Sequence, residues 1–165
     1  SACSSPTRTV WGGGYIKPQN HTDTIDFVVT QTFGDATDFG NLTQSRGHMG
    51  SVSSSTRGIW YGGSIYGPDA PAYTIYNIID YITIASTGNA TDFGDTRFAN
   101  SGIHFTNAAA SNSTRGVFGG GTTPSAQVDI MYVTIATTGN ASDFGDLTST
   151  KYQGGGASDA HGGLG

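Results

Sequence analysis

Thr87 to Asp95 reads TGNATDFGD. The phrase returns as TGNASDFGD at Thr138 to Asp146 and, more freely, as FGDATDFGN at Phe33 to Asn41. Three occurrences in 165 residues mean that the chain is assembled from copies of one small unit. Working outward from the phrase, two blocks align without gaps. The longer block covers Asp26 to Thr43, Asp80 to Arg97 and Met131 to Thr148. The shorter one, R-[GT]-[VI]-[WF]-[GY]-G-G, covers Arg8 to Gly14, Arg57 to Gly63 and Arg115 to Gly121. Loops of 11, 16 and 9 residues join short block to long block, and the arginines lie 49 and then 58 residues apart. A period near fifty residues is that of a solenoid or a propeller.

Inside the blocks the apolar positions alternate with period two, the mark of strands. Ile82 and Ile84 share one face, Tyr81 and Thr83 the other; Val133 and Ile135 stand in the same way against Tyr132 and Thr134. Bulky groups on both faces predict a sheet packed between two neighbours, since a sheet with one wet face shows a polar side. Gly88-Asn89 and Gly139-Asn140, with Gly34-Asp35 in the first copy, fall between two strand-like runs and predict a tight hairpin turn. Phe39, Phe93 and Phe144 are the apolar anchors of the strand that follows and are expected to be equivalent and mostly buried, and the glycine after each predicts a bulge or a close backbone approach. Trp11, Trp60 and Phe118 occupy one slot of the short block and are expected to be equivalent and buried.

Composition limits the function classes. Charged residues make up 12% of the chain, against about 25% in ordinary domains, and there are 26 glycines. Even spacing of aromatic and β-branched residues separates this chain from a disordered tract. The net charge of −5, with seven Lys and Arg in all, supplies no basic patch for nucleic acid. No apolar run approaches the length of a membrane-spanning helix, so no membrane insertion is expected. Cys3 is the single cysteine, which excludes an internal disulfide and a cysteine-based zinc site. The opening SACSSPTRT, without Met or a signal-peptide pattern, reads as a processed or incomplete N-terminus.

The short block, a strand with an aromatic residue, a hairpin and a strand with a second aromatic together resemble the kelch repeat. In that likeness Gly13-Gly14, Gly62-Gly63 and Gly120-Gly121 are the double glycine, Phe27, Tyr81 and Tyr132 take the place of the kelch tyrosine, and Phe39, Phe93 and Phe144 that of its tryptophan. The two aromatics stand 12 residues apart here, further than in kelch proteins. TRGVFGGG at Thr114 to Gly121, with DIMYVTIATTGNASDFGDLT at Asp129 to Thr148, resembles more closely the kelch-like repeat proteins of tailed phages, above all those of cyanobacteria. The resemblance implies an all-β fold of kelch-like propeller blades: one repeat domain over 1–165, with repeats at about 1–52, 53–110 and 111–150 and a closing strand at 151–165. It also implies a non-enzymatic virion component, such as a tail fibre, an appendage or a capsid-surface protein. A carbohydrate-binding adhesin module is the alternative.

No residue set reads as an active site, and neither catalytic residues nor a cofactor nor a metal site is expected. The repeated DFG lacks the lysine strand and catalytic loop of a kinase. The pairs Asp38/Asn41, Asp92/Asp95 and Asp143/Asp146 offer oxygen ligands of the type Ca²⁺ takes, but two per turn fall short of six, and Asx turns use the same residues. The triple glycines precede no phosphate-binding helix. Arg8, Arg57 and Arg115 are expected to pair with Asp38, Asp92 or Asp143. His21, His48, His104 and His161 fall at unrelated slots. The sequons at Asn20, Asn41, Asn89, Asn112 and Asn140 read as accidents of composition. Loops on a β scaffold carry binding residues, and Tyr15, Tyr66, Tyr73 and Tyr76 are the candidate ligand-binding set, suited to a host surface glycan or a protein interface. Three copies leave a ring open, so partners are expected: identical chains or other virion proteins, joined through Ser1 to Arg8 and Lys151 to Gly165, unless a longer chain completes the ring.

Overall fold

The structure, a computed structural model, describes residues 1–16, 20–67, 74–98, 108–123 and 125–156, and these contain no helix. Each copy folds into one four-stranded antiparallel meander. The first sheet runs β1 (Ala2–Ser4), β2 (Arg8–Ile16), β3 (Asn20–Val29), β4 (Thr37–Asn41). The second runs β5 (Gly50–Ser53), β6 (Arg57–Tyr61), β9 (Ile78–Thr83), β10 (Thr91–Asp95). The third runs β11 (Ala109–Ser111), β12 (Arg115–Gly119), β15 (Asp129–Thr134), β16 (Ser142–Asp146). Two short ribbons, β7 (Ser64–Ile65) with β8 (Thr74–Ile75) and β13 (Thr122–Thr123) with β14 (Ser125–Ala126), extend the loops between the middle strands. The expected all-β class and its three antiparallel sheets are therefore present. Residues 151–156 form no strand, and the remainder of the expected closing strand lies outside the described residues.

Local chemistry starts each meander in the same way. The side-chain oxygens of Ser5, Ser54 and Asn112 accept from the backbone N–H groups two and three residues on, at 2.7–3.3 Å, closing the turn that leads into each arginine. A register shift at Phe39 and Phe93 marks the bulge predicted there. Within each sheet the two aromatics of the outer hairpin meet edge to face, with centroids 5.7, 5.8 and 6.0 Å apart for Phe27–Phe39, Tyr81–Phe93 and Tyr132–Phe144.

The sheets stack in chain order, and strand alternation decides what faces each gap. We call the face toward the preceding sheet the front and the face toward the following sheet the back. Trp60 points forward over Gly12 of the first sheet, while Ile59 and Tyr61 point back, Tyr61 stacking on Phe118 at 3.9 Å. One buried cluster fills the first gap with Val10, Ile25, Leu42, Met49, Trp60 and Ile82 among its members. A second fills the next gap around Ile59, Tyr61, Phe93, Phe118, Met131 and Val133.

Three expectations need correction. Trp60 and Phe118 are buried but Trp11 is 44% exposed, because among the described residues no sheet lies before its front face. Phe144 is 51% exposed while Phe39 and Phe93 are buried, because among the described residues no sheet follows the third. The hydrogen-bonded turns fall earlier than Gly-Asn, at Val29–Thr32, Thr83–Ser86 and Thr134–Thr137. The Gly-Asn pair bonds the neighbouring sheet instead. Gly88 N donates to Phe39 O and Ala90 N to Asn41 O, both at 2.7 Å, while Asn89 Oδ1 accepts from Asn41 N. Gly139, Ala141 and Asn140 repeat this on Phe93 and Asp95. A Cβ on Gly94 would lie 2.6 Å from the Gly139 carbonyl, which is why glycine follows each aromatic in the two filled gaps.

The first gap also encloses a charge pair. Arg46, in the loop after β4, donates from Nη2 to Asp80 Oδ2 at 2.9 Å, both side chains fully buried. Thr43 adds two hydrogen bonds to the same carboxylate, from its N–H at 3.2 Å and its hydroxyl at 2.6 Å. Burial pulls the Arg46 pKa down, and the Asp80 charge opposes that shift. Removing one member leaves the other charged in an apolar gap. Asp80→Ala is expected to cost about 3–5 kcal/mol in urea unfolding, and Arg46→Leu/Asp80→Met, which imitates Met131 of the third sheet, to recover much of it.

Candidate functional site

The four candidate tyrosines do not form one group. Tyr73 lies outside the described residues, and Tyr76 serves the scaffold by donating its N–H to Gly63 O at 2.9 Å. Tyr15 and Tyr66 do meet, their rings 5.7 Å apart and 21° from parallel. Two histidines, which occupy unrelated slots in the repeat, complete the cluster. His21 stands edge-on to Tyr15 at 5.2 Å and to Tyr66 at 4.9 Å. His48 stacks on Tyr66 at 5.7 Å and 22°.

Backbone pairing builds this cluster from two sheets. Tyr15 on β2 and His21 on β3 are direct partners in register. Gly47 and Ser64 exchange two 2.9 Å backbone hydrogen bonds, tying the loop after β4 to β7 and carrying Tyr66 to the first sheet. His48, next to that bridge, has φ 57°, a left-handed conformation that turns the chain beneath Tyr66. No sequence spacing announces the cluster, because Tyr15 and His21 share one hairpin of the first sheet while His48 and Tyr66 come from two separate loops.

Tyr15 stays 47% exposed, so the cluster presents an aromatic ledge to solvent. Burial lowers the His21 pKa, with a further contribution from His48, and burial lowers that of His48. Both imidazoles are thus neutral at neutral pH. A ledge of stacked rings with neutral nitrogens suits the flat, weakly polar face of a ligand such as a sugar ring.

The other repeated groups serve packing. Arg8, Arg57 and Arg115 do not pair with the expected aspartates. Each guanidinium lies over an aromatic ring of its own sheet, at 4.7 Å from Phe27, 4.4 Å from Tyr81 and 4.6 Å from Tyr132. Arg8 and Arg57 also donate across the gap to the carbonyls of Ile84 and Ile135, at 3.0 and 2.8 Å. Asp143 instead pairs with Arg97 at 2.5 Å, and Asp92 Oδ1 accepts from Gly94 N at 3.1 Å in an Asx turn. Three of the sequon asparagines, Asn89, Asn112 and Asn140, use their side-chain oxygens in the structure. Among the described residues no group of three or more His, Cys, Asp or Glu could hold a metal ion. Cys3 is buried between the first two sheets, and burial pushes its thiol up to about 12.

No family model and no curated protein matches the chain.

The lowered imidazole pKa values have a consequence for stability. A histidine held below its ordinary value of about 6.5 binds fewer protons folded than unfolded. Stability is therefore full above that value and falls as pH drops below it. The melting temperature is expected to fall between pH 7.5 and pH 5, and to fall less in His21→Gln. Equal losses in both proteins would separate the ledge from this pH response.

Proposed function

We propose that this chain is a non-enzymatic structural or receptor-binding component of a phage virion, with its three sheets serving as blades of a kelch-like propeller. One observation carries the reading: the phrase repeated in every copy acts between copies. Gly88, Asn89 and Ala90 bond the outer strand of the first sheet, and Gly139, Asn140 and Ala141 that of the second. Residues used to join one unit to the next make a scaffold that extends by repetition. The resemblance of the repeats to phage kelch-like proteins supplies the location, on a tail fibre, an appendage or the capsid surface. The working partners are other virion proteins or identical chains.

The Tyr15–Tyr66 ledge favours a second reading, a carbohydrate-binding adhesin module. The two combine in a fibre whose blade tips touch host glycans. Antibody against the chain, gold-labelled and applied to purified particles of the source phage, is expected to decorate discrete sites on the tail or capsid. Particles that carry neither label nor peptides of this chain by mass spectrometry would overturn the virion assignment. Tyr66→Ala is expected to reduce binding of the chain to host-cell glycans at least tenfold, about the loss of one stacking ring at a hot spot. Unchanged binding removes the ledge from consideration.

A further inference from the structure

Among the described residues the two end faces of the stack are uncovered, and they carry the two halves of a gap that the chain already contains. The back of the third sheet holds an apolar hollow of about 290 Å³, lined among others by Ala110, Val117, Gly119, Ile130, Leu147 and Lys151. In the repeat, Val117, Gly119, Ile130 and Leu147 stand where Val10, Gly12, Ile25 and Leu42 stand in the first sheet. Val10, Ile25 and Leu42 share the cluster that buries Trp60, and a Cβ on Gly12 would lie 2.7 Å from the Trp60 ring. The backbone confirms the equivalence. Lys151 O accepts from Gly121 N at 2.9 Å as Arg46 O accepts from Gly14 N at 3.0 Å. Ala108 O accepts from Gly119 N at 3.2 Å as Ser1 O accepts from Gly12 N at 3.1 Å, and Ser1 O also takes the Trp60 indole N–H.

The front of the first sheet carries what this hollow lacks. Trp11 occupies the Trp60 slot and is exposed; Asp26 occupies the Asp80 slot and is exposed. Lys151 sits where Arg46 holds Asp80, and Thr148 where Thr43 does. The second gap is built differently, with Tyr61 for Gly12, Phe118 for Trp60, Thr96 for Leu42 and Met131 for Asp80. The open faces therefore match the first gap and not the second.

Side-chain size makes the same point at another position. A Cβ on Gly58 would lie 3.0 Å from Cys3, and one on Gly116 would lie 2.5 Å from Val52. At the open faces the larger residue changes sides: Thr9 replaces the glycine and Ala110 replaces Cys3 or Val52. The outer strand agrees. Gly40 and Gly94 each lie under a neighbouring glycine's backbone, but Gly145 has nothing within 4 Å of it. Arg8 and Arg57 reach carbonyls of the next sheet, while among the described residues no carbonyl accepts from the guanidinium of Arg115.

We infer that the back of the third sheet docks the front of the first sheet of a second copy, with Trp11 seated on Gly119, and that two copies close head to tail into a ring of six sheets. Asp26 then pairs with Lys151, the Gly34-Asp35 turn lies on the strand holding Gly145, and Arg115 reaches the carbonyl of Thr30, which occupies the place of Ile84 and Ile135. A face that meets a different face yields a ring when the rotation closes and a filament when it does not. Six sheets fall within the four to eight blades in which propellers close, whereas three copies would exceed them.

Sedimentation of the 165-residue chain is expected to give the mass of two chains, with tryptophan emission shifting to shorter wavelength as Trp11 leaves water on association. Trp11→Ser and Gly119→Leu are each expected to weaken dimerisation by roughly thirtyfold or more, the effect of losing one aromatic anchor. Both changes lie on exposed faces, and a Cβ at Gly119 meets nothing nearer than 3.5 Å, so circular dichroism and melting of the monomer should be unchanged. A mixture of the two variants retains one intact contact and should associate. Asp26→Lys should weaken the dimer and Lys151→Glu in the same chain restore it. A monomeric wild-type chain at every concentration overturns the proposal. So does a dimer that survives Gly119→Leu but not Trp11→Ser, since Trp11 would then pack on its own copy. A polymer longer than two chains, as a repeat face capped by other repeats would give, overturns the closed ring.

Discussion

A sheet with apolar side chains on both faces has to be covered twice. The second sheet meets this condition: Trp60 and Ile82 face the first sheet, and Ile59, Tyr61 and Phe93 face the third. No side of it is polar enough to meet water, so it is stable only as the middle layer of a stack. The rest of the molecule follows from that requirement. Sheets at stacking distance bring backbone against backbone, glycine marks the places of closest approach, and loop residues from one sheet become core residues of the next gap. Arg46 is such a residue. It belongs to the loop that leaves the first sheet, yet it is fully buried against Asp80 of the second.

The repetition of TGNATDFGD has the same origin. A phrase that serves only its own hairpin needs a turn former and little else. Here its turn docks on the preceding copy, and its Phe-Gly strand receives the turn of the following copy. The middle copy is therefore constrained twice at the same few letters, as the part that inserts and as the part that receives, while the first copy only receives and the third only inserts. The loops between the blocks carry neither duty, and they differ in length and composition from copy to copy.

Much of this was legible in the sequence because it is local. Period-two alternation located the long strands, the spacing of Phe27 and Phe39 located the aromatic pair of a hairpin, and the glycine after each phenylalanine located the bulge. What failed depends on position in the stack. Trp11 and Trp60 share a slot and a residue type, and only the presence of a preceding sheet separates them. Charge and the joint repetition of both partners point the arginines to carboxylates, yet each lies over an aromatic ring of its own sheet. The Tyr15–His21–Tyr66–His48 cluster depends on a bridge between Gly47 and Ser64, which no repeat register marks. The charge pair had one visible trace: Asp26 and Asp80, and again Arg46 and Lys151, share slots in copies where Met131 and Asn100 break the pattern.

Those breaks make the two filled gaps chemically different. If every gap held the same residues, any copy could pack on any other, and the stack could assemble out of sequence. The two filled gaps are not interchangeable. Trp60 needs a glycine beneath it, and Tyr61 in that position would collide with the indole; Phe118 over Gly12 would leave space unfilled. Asp80 facing the second sheet's own loop would meet no buried arginine, and Met131 facing Arg46 would leave a buried guanidinium without its carboxylate. A buried pair of this kind adds little net stability over an apolar replacement. Its effect is selective: a wrong neighbour would leave one member of the pair buried without its partner, at a cost of roughly 3–5 kcal/mol, whereas the right one satisfies both.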